Sequence, residues 1–197
     1  MSDGPRLIVA SASPRRHELL RTLGVDFAIE PSHVDETLDP GPLAAAVAAL
    51  ALRKARAVAR RHPTGLVLGA DTVVVIDGEP LGKPADPVEA AAMLRRLRGR
   101  VHEVMTGVAV TDARSGRQAA ETVTSRVSMR EYSEAEIARY VATGEPLDKA
   151  GAYAIQGVGG ALVAALEGSR SNVVGLPLAT TAALLRLFGL AVSAAAD

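Results

Sequence analysis

The stretch Leu66-Val-Leu-Gly-Ala-Asp-Thr-Val-Val-Val-Ile76 constrains this chain more than any other. Its run of β-branched and aliphatic residues reads as a strand. Asp71 stands in its middle, and a carboxylate among such neighbours is costly unless a cation or hydrogen bonds compensate it. Two readings follow: an aspartate in a structural salt bridge, or a catalytic group. The residues alone leave both open. Lys83, just before Pro84 and past the Asp77-Gly78 turn, could return a positive charge towards the same end of the sheet.

Around this strand the chain alternates irregularly. Leu7 to Ala10 and Val25 to Glu30 read as short strands, with a helix between them that opens at Ser13-Pro14, carries Leu19, Leu20 and Leu23, and stops at Gly24. Pro42 to Arg61 reads as a long helix. Asp77-Gly78 is a hairpin signal. Asp86-Pro-Val-Glu89 and Ser133-Glu-Ala-Glu136 read as capping boxes, with Gly99 and Gly144 as the stops of their helices. His102, Val104, Thr106, Val108 and Val110 alternate as in a strand, Arg114-Ser-Gly116 turns the chain, and a further strand is expected around Val123 to Met129. After a loop through Asp148 to Gly160, a strand over Ala161 to Leu166 and a helix over Pro177 to Phe188 complete the pattern, with Ser193 to Asp197 expected to fray. These elements predict an α/β fold with a mixed sheet, as a single domain over residues 1–197.

Composition narrows the function. The 22 basic and 22 acidic side chains cancel, which argues against general nucleic-acid binding, since that needs surplus positive charge to displace counterions. A local basic pocket remains possible. The chain has no cysteine, so disulfides, thiolate nucleophiles and thiolate zinc sites are excluded. No signal-peptide core is visible at the N-terminus, and the alanine-rich stretch from Pro42 to Leu52 is too short to span a bilayer. A cytoplasmic protein without membrane association is the expectation.

Three further segments carry chemistry. Ser11-Ala-Ser-Pro-Arg15-Arg16 sits at a strand-to-helix turn, where unpaired N–H groups, hydroxyls and guanidiniums together suit phosphate oxygens. The alternative is an ordinary cap with two solvated arginines. Lys54 lies on the apolar stripe of Leu43, Val47, Leu50 and Val58, whereas Arg53, Arg56 and Arg60 point elsewhere. It either snorkels to the surface or enters a pocket and meets an anion there. Asp148-Lys-Ala-Gly-Ala-Tyr153-Ala-Ile-Gln156-Gly-Val-Gly-Gly160 places charged, aromatic and amide groups in a glycine-rich frame, as in a ligand loop whose backbone passes close to something. It is no dinucleotide fingerprint, because Leu162 stands where the third glycine should be and a strand follows. His17, His33, His62 and His102 are scattered and read as structural or solvated.

Taken in order, these segments resemble the Maf family. The resemblance runs from about Leu7 to Leu178 and rests on Ser11-x-Ser-x-Arg15-Arg16, Asp35-Glu36, Lys54-Ala, Gly69-Ala-Asp71-Thr72, Lys83-Pro84, His102-x-Val-x-Thr106, Asp148-Lys-Ala-Gly-Ala-Tyr-x-Ile-Gln156-Gly, and Gly168-Ser-x-x-Asn-Val-Val-Gly-Leu-Pro-Leu178. It implies an elongated mixed sheet flanked by helices, two lobes with a central cleft as in inosine triphosphate pyrophosphatases, and often a homodimer. It also implies hydrolysis of a nucleoside triphosphate between the α- and β-phosphates with a divalent cation, magnesium or manganese. The family branch acting on dTTP and UTP typically has arginine, threonine and glutamine where this chain has Arg15, Thr72 and Gln156. Ala154 and Arg170 depart from the common pattern, which has glycine and tyrosine there.

On this reading Ser11, Arg15, Arg16, Lys54 and Lys83 bind the triphosphate, and Thr72 and Gln156 contact the nucleotide. Asp71 orients or deprotonates water, and Asp71 with Glu36 holds the metal. One amide at Gln156 can donate to O4 of uracil or thymine and accept from N3–H; cytosine presents the reverse pattern. The alternatives are a pyrophosphatase for another modified or methylated nucleotide, and a nucleotide-binding regulator of cell division that does not turn over.

Overall fold

The computed structural model describes residues 6–193. Its seven strands are β1 (Leu7–Val9), β2 (Phe27–Ile29), β3 (Leu66–Ile76), β4 (Glu79–Leu81), β5 (Val101–Asp112), β6 (Gln118–Met129) and β7 (Val163–Glu167). They form one sheet in the order β2-β1-β3-β5-β6-β7, with β4 on β3. β1 runs parallel to β2 and β3, while β4 and β7 run antiparallel to β3 and β6, so the sheet is mixed. Six helices flank it: α1 (Pro14–Arg21), α2 (Leu43–Ala59), α3 (Pro87–Leu97), α4 (Glu134–Ala142), α5 (Arg170–Val174) and α6 (Leu178–Leu187). Among the described residues no helix is long and apolar enough to cross a membrane.

Packing divides the chain into two compact units. The first comprises the residues up to Asp71, Thr106–Val123, and those from Gly175 onward; the second comprises Thr72–Met105 and Thr124–Val174. In the first, β1 alternates between two cores. Leu7 and Val9 join Leu20, Leu66, Leu68 and Leu185 on one face. Ile8 and Ala10 join Ala51, Ala55 and Val58 of α2 on the other. This is the period of two that a strand covered on both faces must show. Each fully buried Leu or Val contributes roughly 1.5–3 kcal/mol.

In the second unit the turn chemistry of the sequence is visible directly. Asp77 and Gly78 have φ of 55° and 78°, the left-handed pair that a two-residue hairpin requires, and Ile76 pairs with Glu79 across it. Ser133 and Glu136 form a complete capping box: the Glu136 N–H donates to Ser133 Oγ at 3.2 Å and the Ser133 N–H donates to Glu136 Oε2 at 2.8 Å. The Ser133 N–H, then Arg130 and the Ser133 hydroxyl, by donating to the Glu136 carboxyl, hold it at about 2.

Some boundaries differ from the sequence reading. Asp86 caps α3 through the Glu89 N–H at 2.8 Å, but Glu89 accepts from the N–H of Ala85 at 2.6 Å, one residue earlier than a capping box needs. Ser13 holds the cap position of α1 without a cap bond from its side chain. β6 starts at Gln118, five residues ahead of the expected Val123, because pairing after the Arg114–Gly116 turn extends it through residues of weak strand preference. The Asp148–Gly160 loop is punctuated by three 3₁₀ turns, Glu145–Asp148, Ala150–Ala152 and Val158–Leu162. Ser193 is tied by its N–H to Leu23 O at 2.9 Å; the rest of the tail expected to fray, 194–197, lies outside the described residues.

Candidate active site

The first unit builds its charged cluster from a close helix-to-strand approach. A Cβ on Gly69 of β3 would lie 2.2 Å from the Ala51 carbonyl oxygen, and one on Gly107 of β5 would lie 2.5 Å from that of Val47. Helix α2 therefore rests on the strand backbones at a distance only glycine permits. Asp71 is two residues past Gly69, on the same face of β3. Lys54, one turn past Ala51, meets it there: Lys54 Nζ donates to Asp71 Oδ1 at 2.7 Å, with the side chains 5% and 15% exposed. The lysine on the apolar stripe thus enters the interior and meets an anion.

Lys54 Nζ also lies 2.7 Å from Glu36 Oε1, whose side chain is 63% exposed. Arg53, the residue before Lys54, secures the segment that presents Glu36. Its Nη2 donates to the carbonyls of Asp35 at 3.1 Å and Thr37 at 2.6 Å, on either side of Glu36. Asp35 accepts from the Thr37 N–H at 2.9 Å and hydroxyl at 2.7 Å, bonds that hold its carboxyl below the usual range, the backbone one first. Arg53 lies off the apolar stripe of α2, as expected, but it is a positioning residue that helical periodicity did not reveal.

The turn before α1 contributes the other cation. Ser11 Oγ accepts from the Ser13 N–H at 3.2 Å and from Arg16 Nη1 at 3.3 Å, while Arg16 Nε donates to Gly175 O at 2.8 Å. Buried His17 sits with Nε2 2.8 Å from the Ser11 carbonyl and orients the turn from below. Burial lowers the Arg16 guanidinium, and the charges of Asp71 and then Glu36 oppose that, with neighbouring Arg15 lowering it again. It remains a cation, as guanidinium does throughout the working pH range. Arg15 is half-buried. Ser11, Arg16, Glu36, Lys54 and Asp71 are therefore assembled as one cluster.

Two carboxylates converging on one positive point also test whether a divalent cation suits this chain. Both are hard oxygen donors, and magnesium is commonly held by one or two carboxylates together with substrate phosphates. Among the described residues no three His, Asp or Glu side chains gather as a cage. Asp71 and Glu36 thus fit a metal that takes the rest of its ligands from phosphate and water.

Thr72, Lys83 and Gln156 belong to the second unit. Thr72 follows Asp71 on β3 and is half-buried; Lys83 and Gln156 are exposed. The Gly151 N–H donates to Gly82 O at 3.0 Å, which ties the residue before Lys83 to the loop that carries Gln156. The Gln156 amide makes no hydrogen bond to another described residue. Beneath this loop His102 Nε2 lies 2.7 Å from Tyr153 Oη, with the rings edge to face at 5.3 Å. Burial pushes the His102 imidazole down to about 4, so it is neutral.

Comparison with known proteins gives the family. The Maf-like protein family matches residues 6–188. A dTTP/UTP pyrophosphatase of Moorella thermoacetica is 55% identical over 93% of this chain and 95% of its own. Others so described from Pelotomaculum thermopropionicum and Myxococcus xanthus are 54% and 53% identical, over 93% and 96% of this chain and 96% and 95% of theirs. A match of that extent, on a chain whose motif residues gather as described, means that this protein belongs to the Maf family.

Proposed function

We propose that this protein hydrolyses dTTP and UTP to the nucleoside monophosphate and pyrophosphate. The observation that carries the reading is the buried Lys54 paired at 2.7 Å with both Asp71 and Glu36. A carboxylate held inside an apolar strand, beside a buried cation, is an arrangement suited to a polyanionic substrate and an attacking water. The names of the relatives, dTTP/UTP pyrophosphatases over nearly their whole length, support the same substrate.

In this mechanism Arg15, Arg16, Lys54 and Lys83 neutralise the triphosphate and align it, and Ser11 donates to a phosphate oxygen. Asp71 orients a water towards the α-phosphorus and accepts its proton. A new P–O bond forms at the α-phosphorus as the α–β bridging bond breaks, and its electron pair leaves with pyrophosphate. Asp71 and Glu36 would hold magnesium or manganese, which would supply further charge neutralisation and make water more acidic there. Gln156, assisted by Thr72, reads the O4 and N3–H edge of the pyrimidine. The balance of 22 acidic and 22 basic side chains suits a small-molecule substrate and not nucleic acid. We read the protein as a cytoplasmic homodimer that binds no membrane.

A panel of ribo- and deoxyribonucleoside triphosphates, incubated with magnesium, manganese or excess chelator, tests this. dTTP and UTP should give monophosphate and pyrophosphate with either metal, and chelator should abolish turnover. Diphosphate and orthophosphate as products, or full activity in chelator, would contradict the proposal.

A further inference from the structure

One carboxylate and its partner phenol hold three of the backbone N–H groups around Gln156, and neither belongs to the charged cluster. Glu145 stands directly after Gly144, the stop of α4. Its Oε1 accepts from Tyr140 Oη at 2.9 Å and from the Gly159 N–H at 3.1 Å; its Oε2 accepts from the Val158 N–H at 3.1 Å. Tyr140 Oη in turn accepts from the Ala154 N–H at 3.1 Å. Arg170 Nη2 donates to Ile155 O at 3.4 Å, which assigns that departure from the family pattern to loop packing. Backbone groups of residues 154, 155, 158 and 159 are thus each secured by a side chain, while the amide of Gln156 between them is exposed.

The glycines of the loop follow from the same contacts. A Cβ on Gly159 would lie 2.3 Å from Tyr140 Oη, and one on Gly157 would lie 2.8 Å from Glu145 Oε2, with Gly157 at φ +85°. What the backbone passes close to is therefore the Tyr140–Glu145 pair. Burial, above all, raises the Tyr140 phenol, and the Glu145 charge adds to this, so the hydroxyl keeps its proton and donates it.

We propose that Glu145, with Tyr140, is a specificity-determining positioning residue that fixes the Ala154–Gly159 backbone so that Gln156 meets the base in one orientation. The proposal rests on Gln156 as the base reader. A slack loop would let the Gln156 amide approach a base from several positions, cytosine included, whereas a fixed backbone limits the amide's reach to one.

The test compares wild type with Glu145→Gln, Tyr140→Phe, Gln156→Ala and the Glu145→Gln/Gln156→Ala double variant. For each, kcat and KM are measured on dTTP, UTP, CTP and GTP, beside thermal unfolding. Glu145→Gln keeps the shape but turns an NH₂ group towards backbone donors; Tyr140→Phe removes only the hydroxyl. Each should lower the dTTP-to-CTP ratio of kcat/KM about tenfold, the scale of one misaligned hydrogen bond. The loss should fall on KM for dTTP, with kcat within about twofold, and the double variant should be no more permissive than Gln156→Ala. If Gln156→Ala relaxes the preference while Glu145→Gln and Tyr140→Phe retain it, the proposal fails and the reading of Gln156 stands. If Gln156→Ala leaves the preference unchanged, that reading fails and takes the proposal with it. A uniform fall in kcat on all four nucleotides would also overturn the proposal. Should Glu145→Gln not fold, Tyr140→Phe decides.

Discussion

The two units bury polar groups in opposite ways. In the first, Lys54 and Asp71 are taken inside as an ion pair, with Glu36 at its exposed edge. In the second, the buried polar groups are neutral: His102 against Tyr153 and, at the loop, Tyr140 beneath Glu145. A buried charge pair is rarely the most stable choice for a core, since apolar residues of similar volume often do as well or better. Its presence points to use. Neutral buried side chains such as His102 and Tyr140 instead fix geometry without adding field, which suits a loop that must place one amide. On the proposed function the difference separates the tasks: the buried charges of the first unit, with the exposed Lys83 of the second, serve the phosphates, and the loop of the second unit serves the base.

The largest effect that would break this division is on turnover. Asp71→Asn keeps the volume and removes the charge, so the protein should fold while kcat falls about a hundredfold or more, as for a lost acid–base group. Circular dichroism with steady-state assays on dTTP checks both parts. Near-wild-type kcat in the folded variant would return Asp71 to a structural salt bridge.

Gln156→Ala should act in the other unit's terms, on selectivity and not on chemistry. The preference for dTTP and UTP over CTP and GTP should shrink roughly ten- to a hundredfold, the cost of about 1–3 kcal/mol for a mismatched buried hydrogen bond. A parallel loss on all four nucleotides would mean the residue supports the loop and does not read the base.

The smallest effect lies in acid and sharpens the contrast between charged and neutral burial. His102 is held at about 4 by burial, below the 6.5 of a free imidazole. Between those values the unfolded chain takes a proton that the folded chain refuses, so stability is whole above about pH 6.5 and declines towards pH 4. Urea unfolding across that window should be steeper in wild type than in His102→Gln, with the neutral-pH activity of the two within about threefold, the modest range expected for a group away from the reacting atoms. Equal slopes would mean that His102 is protonated in the folded protein.

Much of this was legible in the chain because local rules and tertiary demands agreed. β3 runs over Leu66–Ile76 as its residues suggest, Asp77-Gly78 turns it, and Ser133 with Glu136 caps α4. Lys54 was readable in part, since a charge on an apolar stripe either snorkels to water or finds a partner. What was hidden depends on pairs far apart in sequence. Gly69 reads only as one residue of a motif until α2 is seen resting on it. Arg53 looks solvated until its bonds to Asp35 and Thr37 are drawn. Glu145 looks like an ordinary residue after a helix stop, because the N–H groups it accepts from lie 13 and 14 residues ahead. The loop's 3₁₀ turns escaped for the same reason: side chains outside the loop hold them.

The central claim, attack of water on the α-phosphorus beside Asp71, is tested most directly by hydrolysing dTTP in ¹⁸O-enriched water and weighing both products by mass spectrometry. The account predicts one ¹⁸O atom in dTMP and none in pyrophosphate. Label in pyrophosphate, or its appearance in orthophosphate, would place the attack on another phosphorus and contradict it.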